Sequence, residues 1–208
     1  MERCRASEDK QNRAMEEKKQ ILREKVASQC APVIFQVKPS NLLILESADE
    51  EQLQAMMKRL GLNYQLFYQT EAKSIWFVYR MEQMQELLQN PDIIAFFEEK
   101  KYRRIQEIPV EHVIDRVGKR FAFHKRGKTE YPHELGVLLG YPLGDVKGFI
   151  ENNGKCYRCS GYWKVYENEQ EAKRTFALYR LAKQFALEMV RARVELWELP
   201  GYTQEAIA

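Results

Sequence analysis

Leu62-Asn-Tyr-Gln-Leu-Phe-Tyr-Gln69, Thr70-Glu-Ala-Lys73 and Ser74-Ile-Trp-Phe-Val-Tyr-Arg80 follow one another directly. The outer runs are aromatic and β-branched, and the four polar residues between them have hairpin-loop length, so the stretch predicts two paired strands. Upstream, Asn41-Leu-Leu-Ile-Leu-Glu46 reads as a third, buried strand. Between them Ser47 and Glu50 have capping-box spacing. Leu53, Met56, Met57 and Leu60 make one helical face, and Gly61 stands where a C-terminal cap belongs. Downstream, Met81 to Leu88 and Pro91 to Lys100 predict two helices, the second with proline in its tolerated first turn. The order β-α-β-β-α resembles part of a ferredoxin-like sheet.

Working outward, Pro32 and Pro39 bracket Val33 to Val37, and proline restrains itself and the residue before it from helix. That predicts an extended segment and a mixed sheet over residues 33–80. Ile21, Leu22, Val26 and Cys30 have helical spacing, whereas residues 1–20 are charged and read as a frayed terminus. Beyond residue 100 the pattern is helical: Val110, Val113, Ile114, Val117 and Phe121 mark one helix. A long final helix over residues 169–198 carries Leu178, Leu181, Ala182, Phe185 and Met189 as its core face. Gly161 to Tyr166 is the one expected strand there, with Trp163 and Val165 on one face and Tyr162, Lys164 and Tyr166 on the other. The expectation is an α+β fold: an N-terminal sheet layer, a helix-rich C-terminal half and a long last helix. Its parts are the charged terminus (1–20), an α/β half (21–100) and a helix-rich half (101–208), packed as one unit.

With 45% hydrophobic and 30% charged residues in 208, the chain has the composition of a folding domain rather than a disordered tail. Its longest apolar runs fall far short of the ~20 residues that span a bilayer, so no membrane partner is expected. Met1 to Lys25 contains no apolar export segment, which predicts a cytoplasmic protein with reduced thiols. The formal net charge of +3 is too small to imply a nucleic-acid partner by itself.

The densest stretch is Tyr131-Pro-His-Glu-Leu-Gly-Val-Leu-Leu-Gly-Tyr-Pro142, continuing to Gly154 and ending in Gly161-Tyr-Trp-Lys-Val-Tyr166. It predicts two helices joined by a tight turn at Gly140-Tyr141-Pro142, with Gly136 and Gly140 four apart on one face. Here the chain resembles a family of bacterial proteins of unknown function, found mainly in anaerobic Gram-positive bacteria, with Pro-His-Glu, Leu-Gly-Tyr-Pro and Gly-Tyr-Trp-Lys-Val-Tyr motifs. Cys30-Ala-Pro32 and Lys38 look like a further motif of that family, so the resemblance covers roughly residues 20–190. It implies no activity.

His133 and Glu134 open a helix, where the dipole stabilises a carboxylate and lowers an imidazole pKa. A neutral His133 beside Cys30 would be a base toward a thiol, which makes His133, Glu134 and Cys30 the catalytic candidates. The competing reading is a helix cap and a buried small residue. Lys38, Tyr162, Lys164 and Tyr166 are the ligand-binding candidates, set against aromatic packing under the last helix. Cys156 and Cys159 have metal or redox spacing, but no second pair completes a zinc site and no helix follows to stabilise a thiolate. No metal and no cofactor is therefore assigned.

The sequence favours a small-molecule ligand in a binding or enzymatic site around His133 and Glu134, and leaves open whether the site is catalytic. The runner-up is a nucleic-acid-binding protein using Arg116, Lys119, Arg120 and Lys147, on a basic run over residues 116–128 and a helix-turn-helix-like pair over 132–153. Asp145 and Glu151 on the second helix argue against base reading. A structural or partner-binding module is the third reading.

Overall fold

Strand β3 (Lys73–Tyr79) lies between β1 (Ser40–Glu46) and β2 (Asn63–Gln69) in a three-stranded antiparallel sheet. The computed structural model describes residues 2–46 and 50–201, and the side chains of residues 11–13, 15–46 and 50–201. The hairpin is as expected: Thr70 N–H donates to the Lys73 carbonyl across the turn, and a bulge at Phe67 lets that ring join the face of Phe77. Helix α2 (Glu50–Leu60) buries Leu53, Met56, Met57 and Leu60 and ends on Gly61 at φ +62°. Ser47, the expected cap, falls outside the described residues.

Alternation along β3 sends Trp76 and Val78 to one face and Phe77 and Tyr79 to the other, and both faces are covered. On the first lie α1 (Glu2–Ile34), α2, α8 (Glu169–Arg191) and a 3-10 turn at Leu196–Gly201. On the second lie α3 (Met81–Leu88), α4 (Pro91–Glu99), a 3-10 turn at Ile105–Glu107 and α5 (Val110–Lys125). The short helices α6 (Glu134–Leu138) and α7 (Leu143–Glu151) complete that side. Fully buried side chains such as Phe77, Leu43 and Ile114 each contribute about 2–3 kcal/mol of apolar transfer. The fold is α+β with a long last helix, as the sequence predicts. Among the described residues no helix is long and apolar enough to cross a membrane.

Three expectations are corrected. Val33 to Val37 is not extended: α1 runs through Pro32 to Ile34, and Gln36 turns left-handed at φ +62°. Pro32 removes only the bond its own N–H would make, while its carbonyl accepts the Val37 and Lys38 N–H groups. The Arg80 guanidinium, from the end of β3, donates to the Val33 and Ile34 carbonyls at 2.8 Å each. With that segment helical, the sheet is purely antiparallel rather than mixed. The last helix stops at Arg191, not 198, where Arg193 at φ +67° reverses the chain. Its buried face is Ala172, Phe176, Tyr179, Ala182, Ala186 and Val190, and Leu181 points to solvent. Finally, residues 161–166 are not one strand but a turn and the second arm of a minimal hairpin, β4 (Cys159–Ser160) with β5 (Lys164–Val165).

Candidate functional site

Helices α6 and α7 form the expected corner, turning at Gly140, whose φ of +75° no branched residue tolerates. The β4–β5 hairpin is pinned across α7 by one buried acid. Asp145 Oδ2 accepts the Trp163 indole N–H at 2.6 Å, and Oδ1 accepts the backbone N–H groups of Tyr166 (2.7 Å) and Glu167 (3.1 Å). Close approach also requires Gly148, because a Cβ there would lie 2.7 Å from that of Tyr166. Trp163, held by Asp145, stacks on Tyr141 at 5.2 Å between ring centres and meets Phe176 edge-on at 4.5 Å.

Between corner and hairpin lies a cavity of about 390 Å³, walled by Tyr131, Tyr141, Phe149 and Trp163, with His133, Ser160, Lys164 and the donor-filled Asp145 as polar lining. The His133 ring sits between Tyr131 (5.5 Å) and Phe149 (5.6 Å). Burial lowers its pKa, as do the Lys100, Arg120 and His124 charges, against an opposing Glu130, so the imidazole is neutral at pH 7. Lys164 Nζ donates to the Gly154 carbonyl at 2.6 Å and lies over the rings of Tyr157 (4.9 Å) and Phe149 (5.6 Å). The site thus combines an aromatic box, a neutral imidazole and one fixed cation.

Of the sequence-derived candidates, His133 and Lys164 meet in this cavity. Glu134, next to His133, turns the other way: it is 1% exposed and paired with Arg120. Tyr166 lines a separate groove with Gly148 and Cys156, and half-exposed Tyr162 packs on Phe176 and Tyr179. Cys30, on the inner face of α1, is buried in the core, where desolvation pushes its thiol up to about 12 against an opposing Lys38, and it does not line the cavity. Lys38, 3% exposed, donates to Asn41 Oδ1 at 2.6 Å and lines a second cavity of about 180 Å³ with Tyr162. Burial brings its amine down to about 8, with Cys30 opposing.

The basic residues are engaged locally. Arg116 lies over the Tyr102 ring at 4.0 Å and donates to the Lys101 carbonyl, Lys119 pairs with Asp115 at 2.7 Å, and Arg120 holds Glu134. Lys147, on α7, lines the same groove as Tyr166, together with Glu151 and Arg158. Cys156 is exposed at φ +57° and Cys159 is half-buried, both as free thiols.

Sequence reasoning missed Asp145 and Gly148 as site builders and gave Tyr131 no role. Asp145 was legible only as an acid beside the apolar positions Val146 and Phe149, a place where a carboxylate needs donors from another element. No curated protein and no solved structure matches the chain. Residues 26–199, from the last third of α1 to the last 3-10 turn, match the family described as "Protein of unknown function (DUF3793)", and the chain belongs to that family.

Proposed function

We propose that this protein binds a small, mostly apolar and partly aromatic molecule bearing one anionic group, in the cavity between the α6–α7 corner and the β4–β5 hairpin. One observation carries this reading: four aromatic side chains enclose a space of about 390 Å³ whose fixed cation is Lys164. The volume falls in the range of small-molecule sites, and aromatic walls favour a planar guest. Lys164 spends one N–H on Gly154 and keeps two for a ligand anion. His133, neutral at pH 7, adds a hydrogen bond without charge and orients the guest rather than attracting it.

Because Lys164 is only half-buried, its charge-assisted bond is expected to contribute about 1.4 kcal/mol, or tenfold in affinity. The test is calorimetric titration with 2-naphthoate and with neutral 2-naphthylmethanol. The carboxylate should bind about tenfold tighter than the alcohol, Lys164→Gln should erase that difference, and Ser160→Trp, at the exposed rim, should block both. Equal binding of both compounds to the unaltered protein, or undiminished binding to a folded Ser160→Trp variant, contradicts the proposal.

A further inference from the structure

The turn between α1 and β1 holds a lysine in surroundings that a structural ammonium rarely has. Lys38 is 3% exposed, yet its nitrogen has one strong acceptor, Asn41 Oδ1 at 2.6 Å, and lies over the rings of Tyr141 (5.5 Å) and Tyr179 (5.7 Å). Asn41 is itself oriented, since its Nδ2 donates to the Gln29 carbonyl and leaves the oxygen for Lys38. The amine lines a cavity of about 180 Å³, the volume of about six waters, together with Ser28, Gln29, Tyr162, Tyr179 and Lys183. No carboxylate is among the residues lining that cavity.

We propose that Lys38 is an amine nucleophile that forms an imine with a small carbonyl compound carrying an anionic group, bound in this cavity with the anion toward Lys183. The proposal is independent of the ligand assigned to the larger cavity. In the step, the neutral amine adds to the carbonyl carbon to give a carbinolamine. Loss of water, which carries off the carbonyl oxygen and both amine protons, leaves a carbon–nitrogen double bond. Free amine is needed first, and the surroundings supply it. Burial lowers the ammonium to about 8, Cys30 facing it from α1 is a neutral thiol, Tyr141 and Tyr179 are neutral phenols raised by burial, and Lys183 is a cation. About one Lys38 in ten is then uncharged at pH 7, against fewer than about one in a thousand for an ordinary surface lysine. Desolvated lysines of this kind are the ones that serve as Schiff-base nucleophiles.

The test is reductive trapping on the native full chain, with glyoxylate as the anionic carbonyl, acetaldehyde as its uncharged counterpart and cyanoborohydride as the hydride donor. Peptide mass mapping then compares Lys38 with the exposed Lys58 and Lys125. Lys38 should be modified by glyoxylate at least tenfold faster than either at pH 7, with a rate that rises with pH and levels off above about 8. Lys183→Gln should slow glyoxylate severalfold and leave acetaldehyde unchanged, and Lys38→Arg should remove the fast site. Modification of Lys38 no faster than of Lys58 and Lys125 overturns the proposal. An equal response of both carbonyls to Lys183→Gln overturns the anion assignment.

Discussion

Two charges are buried to the same 3% exposure, and they are connected through Tyr141: Lys38 lies over its ring, while Asp145 holds Trp163, which stacks on it. Their shells differ. Asp145 receives three N–H donors, two of them backbone, and lies in the first turn of α7 where the helix dipole favours an anion. Lys38 has one side-chain oxygen and two aromatic rings. A buried ion whose bonding capacity is filled serves as a structural pin; one whose capacity is largely open remains chemically available. Asp145 shapes the larger cavity, whereas Lys38 lines the smaller one with bonding capacity to spare.

The sharpest way to break it is at the pin. Asp145→Ala removes a buried anion and leaves the Trp163, Tyr166 and Glu167 N–H groups without their acceptor, so unfolding in urea should show a loss of about 3–5 kcal/mol. A loss below about 1 kcal/mol would mean that the hairpin is held by aromatic packing alone.

A smaller effect distinguishes Lys38. Its folded pKa of about 8 lies below the ordinary lysine value of about 10.4, so between these the unfolded chain binds more protons and stability rises with pH. Cys30 works oppositely: its thiol, raised to about 12, makes stability fall once pH passes the unfolded thiol value near 8.5–9. Tyr141, raised to about 12, and Tyr79, likewise about 12, add to that fall above about pH 10. Lys38 contributes a rise of about 1 kcal/mol from pH 8 to 9 and Cys30 offsets about half of it, so stability should rise by about 0.5 kcal/mol, flatten, and then decline. Urea melts of Lys38→Met over the same range should lack the rise and keep the decline. A rise that survives in Lys38→Met would assign it to another group.

Much of the fold was legible because its signals are local. The hairpin over residues 62–80 is set by alternation and a four-residue loop, and α2 by an apolar face that stops at Gly61. The ends of α1 and α8 were not legible. Both close by the same reversal that ends α2 on Gly61, but with Gln36 and Arg193 in the left-handed position, residues that carry no stop signal. At α1 the stabilising cap is Arg80, 46 residues from the Ile34 carbonyl it caps, so Pro32 reads locally as a break that tertiary contacts override. His133 and Lys164 were singled out through their motifs, and the structure brings them to one cavity. Glu134 was singled out by the motif that holds His133 and Cys30 by a separate one, yet the first is paired in the interior and the second is core. A side chain's direction depends on partners that spacing does not encode.

An aromatic anion bound as proposed enters the cavity beside Trp163. The chain has three tryptophans. Trp163 forms the cavity wall, Trp76 donates to Ser74 Oγ in the core under α1, and Trp197 packs beneath Arg59. A two-dimensional proton–nitrogen spectrum therefore carries three indole N–H signals, assignable by single Trp→Phe variants. On titration with 2-naphthoate the Trp163 signal should shift and saturate while those of Trp76 and Trp197 stay in place. A Trp163 signal that does not move, or three signals that move together, contradicts the account.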